Sequence, residues 1–163
     1  MKICDFGHAK FYDKNILKPK NCLMFNKSYR APELYFLYKY YTDKVDMFAI
    51  GCIFAELFKL RECLRMDKES LFCEELLCLI GNFPEDYLDK FEDLDEIQRA
   101  YFTKVNQKHY RGCNITKYLN PKGEYKNDDI ENATDLLKRL LNWDWEKRLS
   151  ADECLLHPFL KDF

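Results

Sequence analysis

Few residues of this 163-residue chain are arranged to do chemistry, and most of those lie near its start. Asp5 stands directly before Phe6 and Gly7, a carboxylate at the edge of a glycine turn. Lysine recurs at positions 10, 14, 18, 20 and 27, and the only acid between Asp5 and Lys27 is Asp13. Such a loop can face an anion or simply be solvated. Arg30 follows, a planar guanidinium whose fixed donors suit a carboxylate or phosphate, and beside it runs Ala31-Pro32-Glu33. A metal site built on thiols or imidazoles is not favoured. The eight cysteines include no Cys-x-x-Cys pair, and His8, His109 and His157 are scattered, so the spacing of zinc ligands is missing. Cys4, Cys52, Cys73, Cys78 and Cys154 fall in apolar or helical patterns, where a thiol acts as a small hydrophobe. Reduced thiols in the cytoplasm or nucleus are the expectation.

These groups need a scaffold, and the composition supplies one. At 47% hydrophobic and 33% charged residues the chain reads as globular, and its length suits one domain. The net charge of −2 gives no reason to expect a nucleic acid or an anionic membrane as partner. No apolar run approaches the roughly 20 residues of a bilayer span, and the N-terminus lacks the pattern of a secretory signal.

Met1 to Cys4 reads as a short strand leading into Asp5, and Pro19 stops helix propagation in the loop that follows. Val45 to Phe58 is apolar almost all round, which predicts a buried central helix. Asp43 is its expected N-cap, with Asp46 at the third helical position. Ser70 can open a helix through Leu79, closed by Gly81, with Pro84 beyond. Glu85 to Glu96 is rich in acids and reads as solvated surface, with a docking patch for a basic partner as the alternative. Asn106 to Asn127 looks irregular. Ile130, Ala133, Leu136, Leu137, Leu140 and Leu141 then carry the spacing of an amphipathic helix. Ser150 and Glu153 form a capping box for a last helix that stops before His157-Pro158. The expected fold is mainly α, one unit around a buried central helix with a short N-terminal strand.

The motifs occur in a fixed order. Lys2-Ile3-Cys4 precedes Asp5-Phe6-Gly7; then come Tyr29-Arg30-Ala31-Pro32-Glu33, Asp46-Met47-Phe48-Ala49-Ile50-Gly51, Trp145-Glu146-Lys147-Arg148-Leu149-Ser150 and His157-Pro158-Phe159. From Lys2 to the end this series resembles the C-terminal lobe of eukaryotic protein kinases. The resemblance implies that Asp5 binds the magnesium bridging the phosphates of ATP, a task for a hard anionic oxygen. It implies that Phe6, beside Gly7, packs under the nucleotide site, and that Glu33 and Arg148 form an ion pair tying the activation segment to the last helices. Asp46 matches the residue that hydrogen-bonds the catalytic-loop backbone; without that loop it should lie unsatisfied or in water. Tyr29 to Leu34 and Gly51 to Leu57 are similar to the group holding cyclin-dependent, mitogen-activated, glycogen-synthase and Cdc-like kinases, which phosphorylate serine or threonine. Cys4 to Lys10 leans toward the glycogen synthase kinase branch, where a lysine matching Lys10 helps hold a phosphate on the substrate. Arg30 can shape the same substrate site.

Departures from the pattern point to a divergent member. No serine or threonine lies between Gly7 and Lys27, Asn26 and Ser28 replace usual residues, and Phe48-Ala49 stands for Trp-Ser. The four residues before Asp5 leave no room for a glycine-rich phosphate loop, a nucleotide-gripping lysine or a catalytic-base loop. Residues 1–163 are therefore expected to be a partial kinase domain, inactive alone and holding neither magnesium nor ATP by itself. Its expected partners are a protein substrate or scaffold and a missing N-terminal half. The alternatives are a non-catalytic interaction module and a truncated remnant. For the remnant, one apolar face of the central helix should be left uncovered.

Overall fold

Helix α2 (Lys44–Lys59) is the axis of the molecule, and its ends follow from local chemistry. Its first turn forms where Thr42 Oγ1 accepts the Lys44 N–H at 3.3 Å and the Asp43 carbonyl accepts that of Asp46 at 3.1 Å. From there Val45, Phe48, Cys52 and Ala55 are buried on one side. The structure is a computed structural model, and it describes residues 2–9, 11, 18–19, 26–36, 40–59, 72–108 and 110–161.

Within these residues the chain opens with a 3-10 turn at Phe6–His8 and strand β1 (Lys18–Pro19). A second 3-10 turn (Lys27–Tyr29) leads into α1 (Pro32–Tyr35), and β2 (Tyr40–Tyr41) precedes α2. There follow α3 (Phe72–Ile80), a turn at Tyr87–Lys90, α4 (Glu96–Asn106) and α5 (Ile115–Leu119). Helices α6 (Asn127–Leu140) and α7 (Ala151–Leu155) and a final turn at Pro158–Leu160 complete the order. Strands β1 and β2 pair antiparallel, Lys18 opposite Tyr41. Lys2–Asp5 forms no strand among the described residues, a correction to the expectation, because a strand needs a neighbouring edge and none is offered there.

The core is aromatic. Phe36 lies at its centre with the rings of Phe83, Tyr87, Phe91 and Phe102 at centroid distances of 4.5–5.7 Å. Each such ring removes on the order of 150–250 Å² from water, so this cluster dominates the packing of this half of the molecule. On the other side α2 crosses α6 closely: a Cβ on Gly51 would lie 2.9 Å from Leu141 Cδ2, so only glycine fits without displacement.

Helix α2 is not enclosed all round. Ile50 (48% exposed), Ile53 (41%) and Leu57 (68%) line up with exposed Asp46 at spacings of four, three and four, one stripe along the helix. Helices α6 and α7 match their sequence signals, including the Ser150–Glu153 capping box. Helix α3 ends at Gly81, φ 87°, as the glycine predicted, while Ser70 lies outside the described residues. Three helices, the one-turn α1 among them, were not legible. Helix α4 has its own capping box, Asp95 with Gln98, and α5 breaks the supposedly irregular 106–127 stretch through the Asn114 cap. The acidic stretch keeps its acids in solvent but buries Tyr87, Leu88, Phe91 and Leu94, so it is a packed edge of the core.

Candidate functional site

Glu33 and Arg148 are the site residues that the fold brings together. Pro32 at the start of α1 presets the backbone, and Glu33 follows in the first turn. Arg148 arrives from the turn after α6. Its guanidinium donates to Glu33 Oε1 at 2.7 Å and Oε2 at 2.8 Å, with both side chains at most 2% exposed. The remaining donors reach carbonyls: Nη1 to Lys44 at 2.7 Å, and Nε and Nη2 to Asn142 at 3.2 and 3.0 Å. All five N–H groups of the guanidinium are thereby used. Lys44 Nζ returns a bond to the Arg148 carbonyl at 2.6 Å, and the Phe48 ring lies 5.2 Å from the guanidinium carbon. Sequence alone indicated Glu33 and Arg148 but not Lys44 or Asn142, which act through backbone carbonyls that every residue possesses.

Tyr29 adds a second tie, its hydroxyl donating to Glu56 Oε2 of α2 at 3.1 Å. Asn26 caps the turn that holds Tyr29, accepting the Ser28 N–H at 3.0 Å. Arg30 is half-buried just beyond that turn, its backbone N–H bonded to the Lys27 carbonyl. These contacts pin residues 26–36 against α2.

Asp5 is exposed, and among the described residues it is the one non-glycine with positive φ, at 64°. Aspartate tolerates this region better than most side chains, but the conformation is still an uncommon one. Phe6 is 67% exposed, so the packing expected of it is not made within the described residues. Gly7 does not need to be glycine in this arrangement, since an added Cβ would meet only Asp5 Oδ1 at an ordinary 3.5 Å. Lys10 lies outside the described residues. Asp46 is exposed at the head of the α2 stripe, and desolvation by its neighbours with the charge of Asp43 pushes its carboxyl up.

Magnesium with ATP calls for one or two carboxylates plus phosphate oxygens in near-octahedral order. Among the described residues no three His, Cys, Asp or Glu side chains converge on a common point. The donor set around Asp5 is a single carboxylate and does not fit the metal–nucleotide group by itself. None of the described cysteines is in a disulfide, and burial pushes the Cys73 thiol up to about 12, the behaviour of a core hydrophobe. No helix among the described residues is long and apolar enough to cross a membrane.

A buried arginine–glutamate clasp joining an Ala-Pro-Glu turn to the last helices, with Asp-Phe-Gly upstream, defines a kinase C-terminal lobe. Comparison with known families agrees: the protein kinase domain model matches residues 1–160. The chain belongs to the protein kinase family, in the serine/threonine group of the cyclin-dependent and mitogen-activated kinases. It is 34% identical over 179 residues to cyclin-dependent kinase G-2 of Oryza sativa subsp. indica, covering 99% of this chain and 22% of that protein. It is 33% identical over 159 residues to cyclin-dependent kinase 11 of Dictyostelium discoideum (98% and 41%), and 30% identical over 167 residues to mitogen-activated protein kinase HOG1 of Cryphonectria parasitica (100% and 41%). The chain thus spans less than half the length of these relatives. Their names do not single out the glycogen synthase kinase branch.

Proposed function

We propose that these residues form the C-terminal part of a serine/threonine kinase domain which, completed by an upstream half, transfers the γ-phosphoryl group of Mg²⁺–ATP to a protein. The observation that carries this reading is the uncovered stripe Asp46, Ile50, Ile53 and Leu57 on an otherwise buried helix. An apolar row with a carboxylate at its head suits a packed helix and a loop backbone that donates N–H groups. In the completed domain Asp5 would hold a magnesium ion, whose charge would offset that of the phosphates. Arg30 and Lys10 would face an anionic group on the substrate, the feature on which a leaning to the glycogen synthase kinase branch rests. The 163 residues contain no His-Arg-Asp motif and no glycine-rich loop, so they do not turn over alone. Cytoplasm or nucleus is the setting that suits the thiols.

The test is twofold. Purified chain with Mg²⁺–ATP and a protein substrate should show no phosphoryl transfer. Co-expression with the in-frame upstream coding region, carrying His-Arg-Asp and a following Asn, should restore transfer, and Asp5→Ala should abolish it. Activity of the chain by itself that Asp5→Ala removes, or stop codons upstream, would overturn the reading.

A further inference from the structure

A cleft of about 350 Å³ opens between the end of α3, the 111–115 segment and the last turn of α6. Its floor is apolar: Ile115, Leu141 and Trp143 line it and are themselves at most 5% exposed. Its rim is cationic, with Arg111 on one side and Lys138 on the other, and none of its ten lining residues is acidic. That is notable in a chain with 28 acids and a net charge of −2. Neither the Arg111 nor the Lys138 side chain makes an ion pair or hydrogen bond among the described residues, whereas Arg139 beside Lys138 pairs with Asp135 at 2.9 Å. The bland role of Lys138 is to complement the carbonyl end of α6, but that leaves Arg111 without an assignment. Asn142 adds a third donor: its Oδ1 accepts the Asp144 N–H at 2.9 Å, and its amide nitrogen has no partner among the described residues.

The walls are held rigidly. Gly81 and Gly112 meet backbone to backbone, the Cys113 N–H bonds to the Leu79 carbonyl at 3.1 Å, and Trp143 Nε1 donates to the Gly81 carbonyl at 3.0 Å. A pre-formed recess of this size, apolar below with a few convergent donors above, has the features of a ligand site. Its charge selects the ligand's sign, and its floor selects an apolar neighbour.

We infer that this cleft docks an acidic peptide segment of a partner protein, seating a carboxylate between Arg111 and Lys138 and an adjoining apolar side chain on Trp143. The inference is independent of whether the chain transfers phosphate. The probe is the acetylated, amidated peptide Gly-Asp-Leu-Glu-Leu-Gly, set against its Asn/Gln counterpart and inorganic phosphate. Each is titrated into the full chain with tryptophan fluorescence and calorimetry as readouts. The acidic peptide should bind saturably below about 1 mM, and added salt should weaken it. The Asn/Gln peptide should bind about tenfold more weakly, and Arg111→Glu/Lys138→Glu should cost about the same factor. Both substituted side chains are exposed, so the thermal melt of the variant should match the parent. Equal binding of the two peptides, undiminished binding by the variant, or no saturation would overturn the assignment. So would phosphate binding as tight as that of the peptide, which would make the cleft a simple anion site.

Discussion

Arg148 and Glu33, 115 positions apart in the sequence, meet in a buried bidentate pair at 2.7 and 2.8 Å. Desolvating two charges is costly, and attraction alone does not always offset it. Here the three further bonds to carbonyls complete the shell, so the pair is satisfied only while all its members are present. Glu33→Ala or Arg148→Ala strands a buried charge or its partners and should cost about 3–5 kcal/mol in denaturant unfolding. Arg148→Lys should also destabilise, because an ammonium cannot reproduce the planar fork. Lys147→Ala, removing a 71% exposed side chain 3.6 Å from Asp144, should change stability by less than about 1 kcal/mol. Equal unfolding midpoints across the set would contradict the assignment.

The two faces of α2 should respond oppositely. Ile53→Lys with Leu57→Lys lies on the uncovered stripe and should leave unfolding free energy within about 0.5 kcal/mol while reducing self-association in sedimentation velocity. Phe48→Ala, at a fully buried position, should cost about 3–5 kcal/mol. A large loss from the lysine pair would mean that the stripe is covered within this chain.

Asp144 provides an acid-sensitive contact. Burial works against its carboxylate, but the Lys90 ammonium at 2.9 Å and the Glu146 N–H at 3.1 Å outweigh that and hold it below its ordinary 3.8. Because the folded state binds the proton less readily, the contribution is complete above the ordinary carboxylate range and is lost as pH falls through the lower folded value. Asp144→Asn should therefore melt below the parent at pH 7, and the two melting temperatures should converge as pH falls below the ordinary carboxylate range. Parallel melting curves across that range would count against the contact.

Two glycines with similar backbone angles separate strain from crowding. Gly112 has φ 72° and an added Cβ would sit 2.9 Å from the Gly81 nitrogen, whereas Gly123 has φ 69° and open space around it. Gly123→Ala should cost about 1–2 kcal/mol for the left-handed backbone alone. Gly112→Ala should cost that plus about 1–3 kcal/mol of overpacking. Indistinguishable midpoints would show that the loop carrying Gly112 can retreat.

What could be read in advance depended on how local the cause was. Helix α6 announced itself through apolar spacing, and α7 through Ser150 and Glu153, because both signals lie within a few residues of each other. Helix α5 did not, since five residues carry too little periodicity and its stability comes from burying Ile115 and Leu119. The N-terminal strand expected at Met1 to Cys4 is not formed by the described residues of that stretch, Lys2 to Cys4, for the converse reason: β-prone residues do not make a strand without an edge to pair with.

Sequence alone determined the kinase kinship, the order of its motifs, the central helix and the two ends of the Glu33–Arg148 pair. Tertiary structure decided that Lys44 and Asn142 complete the arginine's shell, that α2 keeps one face open, and that Arg111 and Lys138 share a cleft. The reason is physical. Motifs and periodicity are properties of neighbouring side chains, whereas backbone acceptors, uncovered faces and clefts exist only once distant segments have packed.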